Sequence, residues 1–187
     1  RPPRQPRAIE RPHLAARMTG SGVSLVIAPS GWGKTTAIAE STSGDGRRAL
    51  WTRLAPGWDR AGDLVAMAHT SAGRSTGGAD EIVDDPLLLA DALIELLDET
   101  PSILVVDDLD TCEGNEIERL LTEVAMMMPE GSTLLLASQR RPAELIGAGI
   151  VDEFIDRDDL RFDRDAVVAT LAAHDRSEEH TSELQSQ

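Results

Sequence analysis

Residues 23–28, Val-Ser-Leu-Val-Ile-Ala, form a short apolar run rich in β-branched side chains, and Pro-Ser-Gly follows at once. A run of that length with a turn signal behind it predicts a buried strand. Similar runs at 49–54, 103–106 and 133–138 predict three more strands, and 151–155 a last one at a sheet edge. The stretches between them carry helical spacing. Residues 34–41 read as a helix ended by Ser43, Gly44, Asp45 and Gly46, and 60–72 as a second, followed by a small-residue loop at 73–78. Residues 86–99 open on Pro86, bring Leu89, Leu93, Leu96 and Leu97 onto one face, and stop before Pro101. Residues 116–128 run to Pro129-Glu130-Gly131, with Met126, Met127 and Met128 expected in the core, and 163–173 begin another helix. Strands alternate with helices throughout and no internal repeat is present. The expected fold class is α/β: a parallel, roughly five-stranded sheet between helices.

Composition narrows this picture. A chain of 187 residues with 41% apolar content holds one α/β domain and its core, and is too short for two. A net charge of −15 repels phosphate backbones, so the body of the chain is expected to bind no nucleic acid directly. The lone Cys112 allows neither an internal disulfide nor a multi-cysteine zinc site, and reads as an inert small residue in a reducing compartment. No apolar run nears the roughly 20 residues of a membrane span, and no signal-peptide pattern is legible, so a cytoplasmic location without a membrane partner is expected. His13, His69, His174 and His180 have no ligand spacing, Gly147-Ala148-Gly149 reads as a loop, and the acids between Asp152 and Asp165 as a solvated face.

The ends differ from the middle. Residues 1–11 hold three prolines and four arginines against one Glu, so 1–22 are expected to be a basic Pro/Arg-rich leader and the segment running into the first strand. A nucleic-acid-binding arm would interleave aromatic side chains, and none is there. Residues 176–186 resemble the in-frame translation of a sequencing-library adapter, which makes 176–187 an expected artificial tail and places the end of native sequence near Asp175.

The chemistry concentrates in Ala28-Pro29-Ser30-Gly31-Trp32-Gly33-Lys34-Thr35-Thr36, between a predicted strand and a predicted helix. Gly31 and Gly33 let backbone N–H groups turn inward around a polyphosphate, and the helix starting near Lys34 aims its positive end at the same place. Lys34 is the only lysine among 18 basic residues. It reaches the β and γ phosphates as a flexible point charge, where a planar guanidinium fits badly. Thr35 offers a hydroxyl to magnesium. Residues Pro29 to Thr36 are thus the candidate nucleotide-binding set, although the general pattern calls for glycine where Ala28 stands. The run 103–106 ends in Asp107-Asp108, where parallel sheets bind ligands. Asp107 is the candidate magnesium residue, acting through water, and Asp108 the candidate for orienting or activating an attacking water. Asp also commonly ends strands without function. The strand at 133–138 leads into Gln139, Arg140 and Arg141, where a basic residue can touch a γ-phosphate or simply lie at the surface.

Taken together, Ala28 to Thr36 and Asp107-Asp108 resemble the STAND class of signal-transduction ATPases, most closely the nucleotide-binding domain of the large LuxR-family, MalT-like transcriptional regulators. Four patches agree. Arg11-Pro12-His13-Leu14 is similar to the arginine-proline-leucine element before the first strand, and Ala49-Leu50-Trp51-Thr52-Arg53-Leu54 to the second strand with its tryptophan. Leu135 to Pro142 is similar to the strand ending in the sensor arginine, here Arg140, and Asp159-Leu160-Arg161-Phe162 to the segment entering a helical lid. The resemblance covers 11–173. It implies a P-loop NTPase domain at 23–162, the start of the lid at 163–175, ATP or ADP with Mg2+ as ligands, and Arg11 and Pro12 as added nucleotide contacts. It also implies a nucleotide-gated switch with slow hydrolysis, self-association, and DNA binding through a C-terminal module that this chain lacks. Competing readings are a P-loop ATPase of another branch, a nucleotide-binding module without hydrolysis, and an inactive fragment. Adenine is expected over guanine, because the guanine-reading Asn-Lys-x-Asp motif needs a second lysine.

Overall fold

The computed structural model describes residues 11–20, 22–57, 60–74, 85–112 and 114–161. The helix expected at 163–173, the tail, the leader up to residue 10 and most of the loop at 73–78 lie outside the described residues.

Five parallel strands form one sheet in the order β2-β3-β4-β1-β5: β1 (Val23–Ile27), β2 (Arg48–Arg53), β3 (Ser102–Asp107), β4 (Thr133–Ser138) and β5 (Glu153–Asp156). The fold is α/β, as the alternation of strands and helices requires. Side chains alternate across the sheet. On one face Leu25, Leu50, Leu104, Val106, Leu134 and Leu136 meet α3 (Ala61–Ser71), α4 (Pro86–Asp98) and α5 (Glu116–Met126). On the other, Val26, Trp51, Ile103, Val105, Leu135 and Ala137 meet α1 (Pro12–Gly20) and α2 (Lys34–Ser43). The central strands β3 and β4 are buried along their whole length, which is why they read as unbroken apolar runs.

Several expectations need correction. Between Arg11 and the first strand the chain adds a helix: Pro12 takes the first helical position, and Leu14 and Met18, one turn apart, are buried against α2. Helix α2 continues to Ser43, and the hydroxyls of Ser41, Thr42 and Ser43 bond carbonyls four residues back. Residues 143–146, for which no element is expected, and Gly147, expected in a loop, form α6 (Ala143–Gly147), a single turn too short to carry a period. Helix α5 buries Ile117, Leu120, Leu121 and Val124, and Met126 falls off that stripe. Met126 and Met127 are exposed, and only Met128 packs against the core.

The acids beyond Asp152 are not merely solvated. Asp152 Oδ2 accepts the Val23 N–H at 2.8 Å, and Glu153 and Asp159 both hold Arg17 of α1. These bonds tie β5 to β1 and α1.

Candidate functional site

The loop between β1 and α2 is shaped by its glycines. Gly31 has φ 80° and Gly33 φ 78°, in the left-handed region that costs a side-chain-bearing residue about 1–2 kcal/mol. No atom lies within 4 Å of where a Cβ would sit on either, so conformation, not crowding, demands glycine. Pro29 and Ser30 are exposed; Thr36 is half-buried. No acidic side chain and no side-chain cap covers the first turn of α2. That turn therefore keeps the partial positive charge of its N–H groups directed at the loop. Lys34 is only 7% exposed, and its Nζ donates to the carbonyls of Ala28 at 2.8 Å and Pro29 at 3.2 Å. The ammonium is folded over the loop it belongs to. Trp32, at the rim, lies under the Arg161 guanidinium, 5.9 Å from the ring centre.

Strand order brings the second element to this loop. Because β4 lies between β1 and β3, the first turn of α2 reaches across β4, and Thr35 Oγ1 donates to Asp107 Oδ2 at 2.9 Å. Asp107 is fully buried. Burial pushes its carboxyl above the usual range, opposed by the Thr35 hydrogen bond, reinforced by the Asp108 charge, and opposed again by Arg53. A buried carboxylate beside a hydroxyl is a hard-oxygen donor pair, the chemistry magnesium takes. No group of three or more His, Cys, Asp or Glu residues able to hold a metal occurs among the described residues. A magnesium ion at Thr35 and Asp107 would thus depend on phosphate oxygens and water for the rest of its shell, which fits that ion.

Asp108 turns away from the strand. It has φ 59° and ψ 39°, the only non-glycine residue with positive φ among the described residues. Its N–H donates to Asp107 Oδ1 at 3.0 Å, and its carbonyl accepts from the Thr111 N–H and hydroxyl. A 3₁₀ turn, Leu109–Thr111, follows. The Asp108 carboxylate accepts from Arg53 Nε at 2.8 Å, and this bond raises the Arg53 guanidinium above its ordinary value.

Arg140 leaves the end of β4 and donates to the Asp110 carbonyl at 2.6 Å, while the Gln139 N–H donates to Asp110 Oδ1. It therefore lies against the 3₁₀ turn, beside a cleft of about 410 Å3 that Asp110, Glu118, Ser138 and Arg141 also line. Arg11 serves as a clamp: it bonds Glu40 of α2 and the Leu160 carbonyl. Pro12 is exposed at the start of α1.

Two residues at this site were not singled out from the sequence, Arg53 and Asp110. Arg53 had one available signal, its place at the end of a strand, but only the β2–β3 register sets it opposite Asp107.

No protein-family model matches the chain. Two curated relatives, each an HTH-type transcriptional regulator MalT from a strain of Klebsiella pneumoniae, are 27% identical to it over 156 residues. The match takes in 76% of this chain and 17% of the length of each relative. It supports a loose relationship to MalT. No helix among the described residues is long and apolar enough to cross a membrane.

Proposed function

We propose that this chain is an ATP-binding switch domain of a MalT-like transcriptional regulator, with residues 23–162 as the nucleotide-binding domain and 163–175 as the start of a lid. The observation that carries this reading is the bond from Thr35 Oγ1 to Asp107 Oδ2, which joins a glycine loop to an acidic strand end 72 residues away. Those are the two parts that a magnesium–triphosphate complex needs in one place. Self-association and DNA contact would belong to other modules of a longer protein, in keeping with the acidic charge of this one.

In this reading the loop N–H groups and the first turn of α2 bind the phosphates. Lys34 exchanges its two carbonyl partners for phosphate oxygens, and Thr36 borders the same cradle. Magnesium, when bound by Thr35 and through water by Asp107, supplies charge neutralisation at the phosphates. Asp108 accepts a proton from, or orients, the attacking water, and Arg140 moves from the Asp110 carbonyl to the γ-phosphate. Arg11, through Glu40 and Leu160, holds α2 and the segment after β5 in fixed relation around the site. A module that binds nucleotide without hydrolysing it is the second reading: Arg53 holds the Asp108 carboxylate, which either withdraws it from an attacking water or fixes it toward one, and measured hydrolysis separates the two.

Titration of the purified chain with ATP and ADP in the presence of magnesium tests the proposal. Lys34→Ala removes a charge-assisted contact of roughly 1.5–3 kcal/mol and should weaken ATP binding about 10- to 150-fold. Lys34→Arg should also bind weakly, because a planar fork does not replace a point charge. Unchanged affinity in both variants would overturn the phosphate-loop assignment.

A further inference from the structure

Asp108 combines two features that rarely meet without a reason. Its backbone is held in the left-handed region, which costs a non-glycine residue free energy, and it follows directly on Asp107, whose carboxylate takes the Thr35 hydroxyl. The main chain is fastened by Asp107 Oδ1 and by Thr111. Among the described residues the carboxylate has one partner, the Arg53 guanidinium, 2.8 Å from Oδ2.

The approach of Arg53 is built into the sheet. It pairs in register with Asp107 across the β2–β3 ladder, and the next residue, Leu54, donates its N–H to the Asp107 carbonyl at 3.0 Å. In a parallel ladder, paired residues share a face, so the Arg53 side chain rises beside the two acids and reaches Asp108 without spanning a gap. Its side chain is 68% exposed, against 22% for Asp108. A pair that open contributes little to folding, because water screens it and a long side chain must be ordered to make it. What it does provide is orientation: a carboxylate on a strained turn, free to rotate about χ1 and χ2, is held in one rotamer.

We propose that Arg53 is the positioning residue for Asp108, fixing its carboxylate at the end of β3 in the orientation from which it acts on the attacking water. This rests on the ATPase reading above and adds to it a residue from a third strand. Arg53 itself touches no reacting atom. Its loss should lower turnover through Asp108 and leave nucleotide binding to the loop.

The experiment measures magnesium-dependent ATP hydrolysis, ATP affinity and the thermal midpoint for Arg53→Gln and Arg53→Lys. Both are made in the parent chain and together with Asp108→Asn. Arg53→Gln should lower kcat by about 10- to 100-fold, the scale of a misplaced group, with KM for ATP within about threefold. The thermal midpoint should stay within about 4 °C, as for an exposed pair. Arg53→Lys should recover most of the rate, since an ammonium can still donate to Oδ2. In the Asp108→Asn chain, Arg53→Gln should change nothing further. An equal loss in both backgrounds would show that Arg53 acts on another group, and an unchanged or raised kcat that it does not position Asp108; either overturns the inference. A parent chain that binds ATP and never hydrolyses it also overturns the inference and leaves the binding reading standing. A parent chain that binds no ATP removes both.

Discussion

Replacing Asp108 by glycine and by alanine separates backbone strain from chemistry. With φ 59° and ψ 39°, alanine in its place sits in a region that costs about 1–2 kcal/mol, and glycine does not. Glycine gives back part of this, about 0.4–1 kcal/mol, because its unfolded chain is more flexible. Both variants lose the Arg53 ion pair equally, so that term cancels in the comparison. Asp108→Gly should therefore be more stable than Asp108→Ala by about 0.8 kcal/mol, the middle of a range from about 0 to 1.6 kcal/mol. For a chain of this size that is roughly 1–4 °C in thermal midpoint. The order is the reverse of that in a helix interior, where alanine wins by a similar amount. Both variants lack a carboxylate, so both should lose hydrolysis by about 10²–10⁴-fold. Differential scanning calorimetry with a coupled phosphate-release assay measures both quantities. An alanine variant more stable than the glycine variant, the order of a helix interior, would refute the left-handed assignment, and with it the strained placement of Asp108.

Asp107→Asn removes the charge and keeps one acceptor oxygen for the Asp108 N–H, with its amide N–H able to donate to the Thr35 hydroxyl, so ATP titrations with and without magnesium should lose most of their difference. The same variant should melt higher than the parent at pH 7. Burial raises the Asp107 carboxyl in the folded state, so its ionised form costs stability at neutral pH. The gain should shrink as the pH falls through the acid range, where the parent carboxyl takes up its proton. Asp45 should behave oppositely. The Arg47 hydrogen bond holds its carboxyl below 3.8, so its contribution is present at neutral pH and is lost as the pH falls below that value through the folded-state one. Melts of Asp45→Asn should lie below the parent at pH 7 and converge with it in strong acid.

Local chemistry made much of this molecule legible in one dimension. The strand at Thr133–Ser138 needed only six buried positions in a row, and the glycine loop with Lys34 announces itself through residues whose conformations and charge act within a single turn. Pro86 and the leucines behind it mark α4 for the same reason. Pairing across the sheet is different, because it depends on which buried faces meet after the chain has closed loops of many tens of residues. Nothing along the chain says that β4 enters between β1 and β3, yet that order is what lets Thr35 reach Asp107. Met126 carries an apolar side chain off the stripe of Ile117, Leu120, Leu121 and Val124 that α5 buries, and only the packing of that stripe shows which face is covered, leaving Met126 in water. Arg53 looked like an ordinary polar strand end. Its meaning comes from the register with Asp107 and from the left-handed turn at Asp108, both set by contacts distant in sequence and absent from any local window.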